Sequence, residues 1–185
     1  MPPFLEILTR TFGGRPKMFA AHKASLAAQT DQDFIHTVLM DEEKRGIAWS
    51  SENLGAYAPN LVGEYQFCLD DDDLLICPTF VADMKSIARR YLPDVIMVKM
   101  QHGGGRVLPG ARWGKGPVFG EIGVSAFVVR RHVWQWHAHA FKPGWYGSDF
   151  SFIDSIWRAN RWSFHWHDCV ASRVQRASIG APEAT

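Results

Sequence analysis

The chain has 185 residues, 46% of them hydrophobic and 13% aromatic, and a formal net charge of +1. That length suits one domain, residues 1–185, with a substantial core, and the scattered, nearly balanced charge excludes the basic footprint of a nucleic-acid binder. Cys68, Cys77 and Cys169 are odd in number and lack zinc-site spacing, so reduced thiols in a cytoplasmic protein are expected; no signal peptide is visible, and no apolar run approaches the roughly 20 residues that span a bilayer.

In chain order, Phe4-Leu5-Glu6-Ile7-Leu8 predicts a first strand, closed by Thr9-Arg10-Thr11 and a loop through Gly13, Gly14, Arg15 and Pro16. Residues 17–29 place Met18, Phe19, His22, Leu26 and Ala28 at helical spacing. After a turn at 30–33, residues 34–40 predict a second strand ending at Asp41. This is strand-loop-helix-strand, the unit of a parallel sheet. Segment 47–61 predicts a short helix and loops, and 63–69 a third strand that ends in four aspartates. A helix over 78–91 starts at Pro78, tolerated in a first turn, and breaks before Pro93. Residues 95–100 are a further strand. Segment 101–120, with seven glycines and two prolines, predicts an open loop over the sheet edge. A strand over 121–129, a short helix over 132–141, a helix over 149–157 capped by Ser148 or Asp149, and a strand over 162–170 follow. The tail over 176–185 is expected to fray.

Asp70-Asp71-Asp72-Asp73 carries the most information. Four like charges at a strand end repel one another, and a hard divalent cation held by carboxylate oxygens offsets them best. The alternative is a solvated acidic turn. If the chain stays extended there, Asp70 and Asp72 share a face and Asp71 points the other way. In open α/β sheets, ligands gather at the carboxyl ends of strands, which is where Thr9, Arg10, Thr11, Asp41 and the four aspartates all fall.

With this pattern the chain resembles the GT-A glycosyltransferases, above all the large inverting family two. The resemblance rests on the first strand and loop at 4–11, Ser25-Leu26 and Gln29-Thr30, Met40-Asp41, and the block from Gly63 to Asp73. It implies an α/β fold with a mostly parallel central sheet flanked by helices, a nucleotide-sugar half at 4–100 and an acceptor-side half at 101–175. It also implies a hexosyltransferase moving a sugar from a UDP- or GDP-type donor to a glycan or other hydroxyl acceptor with Mn2+ or Mg2+. By position, Thr9, Thr11 and Arg15 fall in the loop that contacts base and ribose, and Asp41 matches an acid that hydrogen-bonds them. Asp70 and Asp72 match the outer acids of the Asp-x-Asp motif, toward the ribose and the metal respectively, and Asp71 fills its centre. Asp149 falls where relatives carry the base, although the preceding Glu is replaced by Ser148; Asp154 and Glu121 are the substitutes. A histidine after the last core strand is expected at the metal, and His167 is preferred over His165. The chain could form a homo-oligomer and could visit the inner membrane face.

Other assignments stay open. Asp149 could be only a helix cap, and His137-x-His139 with His165-x-His167 could form a zinc site. Trp157, Trp162 and Trp166 are expected in the core, whereas Trp113, Trp134, Trp136 and Trp145 could stack on a sugar or simply pack. A nucleotidyltransferase is the rival enzyme, for which Gly13-Gly14-Arg15 is a poor triphosphate loop. A non-catalytic sugar- or nucleotide-binding protein is the other rival.

Overall fold

The computed structural model describes residues 2–110, 112–142, 145 and 147–174, without the side chains of residues 47 and 48. Among the described residues eight strands form one sheet: β1 (Leu5–Thr11), β2 (Phe34–Met40), β3 (Tyr65–Cys68), β4 (Leu74–Leu75), β5 (Val95–Gln101), β6 (Val107–Leu108), β7 (Phe127–Arg130) and β8 (Phe164–Arg173). Their order is β2-β1-β3-β7-β5-β8-β4, with β6 beside β5. Strand β1 pairs in parallel with β2 along its whole length, Leu5 opposite Phe34 through Thr11 opposite Met40, and with β3 on its other side. Strand β7 runs antiparallel between β3 and β5, and β8 is parallel to β5. Thus β1, β2, β3, β5 and β8 point the same way.

Among the described residues five α-helices cover the sheet: α1 (Pro16–Ala27), α2 (Ile47–Tyr57), α3 (Phe80–Tyr91), α4 (Arg131–His137) and α5 (Ser148–Arg158). Side chains alternate across a strand, so each strand feeds two cores. On β5, Val95 and Met97 join Leu54 of α2, Trp134 of α4 and Phe152 of α5, while Ile96 and Val98 join Leu26 of α1 and Met84 of α3. Helix α3 shows why such a segment folds. Phe80, Val81, Met84, Ile87 and Ala88 are buried on one stripe, each large side chain worth about 1.5–3 kcal/mol. Asp83 stands in its first turn and Arg89 and Arg90 in its last, and a left-handed Leu92 ends it before Pro93.

Glu6 is buried within β1, yet its carboxylate accepts from the Thr37 hydroxyl (2.9 Å), the Tyr57 hydroxyl (3.3 Å) and the N–H groups of Val62 (2.7 Å) and Gly63 (3.0 Å). One charged group thereby ties β1 to β2, to α2 and to the approach to β3.

Several expectations change. Residues 124–126 form a 3-10 turn, so only 127–129 of the expected 121–129 strand belong to the sheet, and the strand continues to Arg130. The 101–120 segment contributes β6 to the sheet. Trp134 is fully buried, packed on Phe127, Phe141 and Phe152, whereas Trp157 is partly exposed. Trp113 packs edge-on against Trp166.

Candidate functional site

A cleft of about 530 Å³ opens along the carboxyl ends of the five co-directional strands. Each delivers a residue at or just past its end: Thr11 from β1, Asp41 from β2, Asp70 from β3, His102 from β5 and Val174 from β8. That volume falls in the range of small-ligand sites.

The acids lie at its centre. Strand β3 stops at Cys68, and the Asp73 N–H donates to the Asp70 carbonyl at 3.0 Å, so residues 70–73 turn instead of continuing extended. The faces predicted for an extended segment therefore do not apply, and all four acids line the cleft. Two arginines meet them. Arg10, on β1, grips Asp70 through two bonds, Nε to Oδ1 at 2.6 Å and Nη2 to Oδ2 at 2.7 Å. Such a fork-to-fork pair is the strongest geometry open to a carboxylate. Arg15, just before α1, donates to Asp71 Oδ1 at 2.8 Å and stands 3.0 Å from Asp72 Oδ2. The Thr11 hydroxyl donates to the other Asp71 oxygen at 2.6 Å.

Asp72 shares Arg15 with Asp71. Burial, then the charges of Asp70 and, less strongly, Asp71, push its carboxyl up to about 6 against the pull of Arg15. Of the two acids that share Arg15, Asp72 is thus the one whose charge is disfavoured.

Asp149 lines the same cleft from the first turn of α5. No side chain caps that helix, so its carboxylate is not spent as a cap. Burial and the charge of Asp70 push it up to about 6, although Arg10 and the Val124 N–H pull it down. Asp41 is folded onto its own loop, accepting from the Gly46 N–H at 3.0 Å and lying 3.4 Å from Arg45 Nε. Burial alone would raise it; the backbone N–H groups of Arg45 and Gly46 and the Arg45 guanidinium hold it below its ordinary value.

Several solved structures share this architecture. The chain is similar to S. aureus TarS 1–349 in complex with UDP-GlcNAc, with a TM-score of 0.67 at 13% identity over 98% of this chain and 61% of that one. It is similar to the mannosyltransferase PcManGT from Pyrobaculum calidifontis in complex with GDP-Man and Mn2+, with a TM-score of 0.60 at 10% identity over 94% and 57%. The fold is GT-A. A197 from STIV matches at a TM-score of 0.54 and 14% identity, over 89% of this chain and 81% of that one. This GT-A chain spans about three fifths of the TarS 1–349 length it matches. No family model and no curated protein matches the chain.

Among the residues expected in this GT-A site, the cleft brings together Thr11, Arg15, Asp41, Asp70, Asp71, Asp72 and Asp149. Thr9 and His167 do not line it. Thr9 is buried beneath, its hydroxyl 3.0 Å from His22 Nε2 and 2.9 Å from His36 Nε2. His22 Nδ1 lies 2.9 Å from the Asp73 carbonyl, which can only accept, so in the neutral ring Nε2 accepts from Thr9 and Thr9 accepts from His36. Burial keeps His22 below its usual value and takes His36 down to about 4. Thr9 therefore steadies the acid turn from below.

His167 belongs to the middle of β8, where its neighbour His165 stacks on Tyr91 of α3, away from the cleft. Asp154 pairs with Arg158, and Glu121 accepts from the Gly110 N–H; neither lines the cleft. His137 has both nitrogens engaged, by Ser155 Oγ and by the Trp162 N–H, so the zinc alternative has no ligand there. Among the described residues no three His, Cys, Asp or Glu side chains are grouped to hold a metal by themselves.

Arg10 was expected at the strand end without a role of its own, and cleft residues such as Trp49, His102 and Phe119 had no sequence-based role. His102 Nε2 is buried with no partner among the described residues, a feature that no sequence pattern carries.

Proposed function

We propose that this chain is a glycosyltransferase that moves a sugar from a nucleoside-diphosphate donor to an acceptor hydroxyl, by direct displacement with inversion, with Asp149 as the base. The observation that carries it is one cleft holding an acid turn in which Asp72 is pushed up to about 6 and, apart from it, the Asp149 carboxylate at the start of α5, also pushed up to about 6. The solved structures in complex with UDP-GlcNAc and GDP-Man support that ligand class for a cleft so built.

The donor set suits a cation of the Mg2+ or Mn2+ type. Such ions take one or two protein carboxylates and complete their shell with substrate phosphates and water, so a group of three protein ligands is not required. Asp72 would hold it, with Asp70 beside it, and His167 has no part. When bound, the ion offsets the charge that develops on the leaving diphosphate.

The protein's own groups do the rest. Arg10 and Arg15 fix the directions of Asp70, Asp71 and Asp72, so the acid turn needs little rearrangement when donor arrives. Thr11 and Asp41, at the β1 and β2 ends, offer hydrogen-bonding groups to a base and ribose. Asp149 takes the proton of the acceptor hydroxyl, and a carboxylate shifted to about 6 is ionised at neutral pH yet more basic than an ordinary one.

The test is Asp149→Asn with UDP- and GDP-hexoses and Mn2+. Calorimetric donor affinity should stay within about twofold while transfer falls by about 10²–10⁴. Transfer at the wild-type rate, or a product that keeps the donor's anomeric configuration by NMR, defeats the proposal.

A further inference from the structure

Large apolar side chains that stay in water next to a cleft call for an explanation. Among the described residues two do so here. Phe119, 60% exposed, lines the cleft, and Trp145, 43% exposed, lies against it with ring planes 4° apart and centroids separated by 6.2 Å. Phe150, also in the cleft wall, meets Phe119 edge-on at 5.5 Å and 78°. These separations match favourable aromatic pairs.

The pair rests on a prepared floor. A Cβ at Gly147 would fall 2.8 Å from Phe119 Cε2 and 2.8 Å from Trp145 Cζ2, closer than carbon atoms tolerate. Only a bare backbone lets both rings settle there. Gly147 is the N-cap of α5, two positions before Asp149, so the glycine beneath the rings and the carboxylate adjoin in the chain.

We propose that Phe119 and Trp145 form the acceptor subsite, a two-ring shelf that stacks on the apolar face of a hexopyranose; this rests on the glycosyltransferase function proposed above. Flat aromatic faces suit the C–H face of a sugar ring. An acyl chain would want exposed aliphatic side chains beside the cleft, and none of those exposed among the described residues lines it. A nucleotide base is not the occupant proposed, because the shelf adjoins Gly147 and Asp149, whereas Phe12 and Asp41 follow β1 and β2.

The experiment uses the whole chain labelled with 5-fluorotryptophan, with the Trp145 19F signal assigned from Trp145→Phe. Probes are methyl hexopyranosides and hexose disaccharides, octyl-chain micelles, and UDP, GDP and their hexose conjugates with Mn2+. Saccharides should move the Trp145 signal, and Phe119→Ala should weaken their binding about tenfold while donor affinity and thermal midpoint stay unchanged. A Trp145 signal that ignores every saccharide while donors bind overturns the subsite alone. A response to octyl chains or free UDP or GDP in place of saccharides overturns it in favour of a lipid or a base. If no nucleotide or nucleotide sugar binds, the glycosyltransferase function fails and the subsite with it.

Discussion

The two sides of the cleft are built by different means. On the β1–β3 side, parallel strands carry charged groups that are matched in pairs, Arg10 with Asp70 and Arg15 with Asp71 and Asp72, above the buried contacts of His22, Thr9 and His36. On the far side, segments between strands and helices supply rings laid over a glycine, and an imidazole whose Nε2 is buried with no partner among the described residues. The charged groups hold one another in place: Arg10 is on β1, whereas Arg15 and the four acids lie in the loop and the turn that follow β1 and β3. Groups that meet a variable partner sit on connections, which tolerate change.

That contrast can be tested by substitution. Arg15→Met should be the most costly, because it strands Asp71 and Asp72 in a largely enclosed place: about 3–5 kcal/mol by urea unfolding. An equal loss from Phe119→Ala would erase the distinction between the two sides. The pH dependence follows from Asp149, whose proton must be off for it to act. The transfer rate should fall about tenfold per unit as pH drops below about 6, and Asp149→Asn should abolish that limb.

Asp72 has the opposite consequence for stability. Its folded pKa, about 6, lies above the ordinary carboxyl value, so the folded state holds the proton more tightly and stability is lost as pH rises from about 4 to 6. In chelator, Asp72→Asn should therefore gain about 1–2 kcal/mol at pH 8 and nothing at pH 3.5, read from urea midpoints. A gain that persists at pH 3.5 would point to something other than charge. The smallest effect is expected from Gly147→Ala, which lifts the rings off their floor: acceptor KM should rise about fivefold at unchanged donor affinity.

Much of the β1–β3 side could be read in the residues, because its signals are local. Short apolar runs mark β1, β2 and β5, a 3.6-residue stripe marks α3, and an acid run after an apolar strand marks the site. The turn at 70–73 was legible only as the solvated alternative, not as a turn facing two arginines, and the burial of Thr9 under two histidines was not legible, since both sets of partners lie far along the chain. His167 failed for a similar reason: sequence put it on a strand but could not say which end of that strand meets the cleft. Strand β7 was expected, but not its antiparallel insertion between β3 and β5, which local periodicity does not encode. Of the proposed shelf only Trp145 was legible, as one of four tryptophans that could stack on a sugar or pack, and Trp134 shows how little that decides, since it lies wholly inside the core.

The clasp of Arg10 on Asp70 joins residues sixty apart in the chain. Closing so long a loop costs about 4 kcal/mol in entropy, and neither side chain can recover it before β3 docks on β1. No short nascent fragment therefore holds a half-built version of the centre. It comes into being late, together with the sheet that carries it.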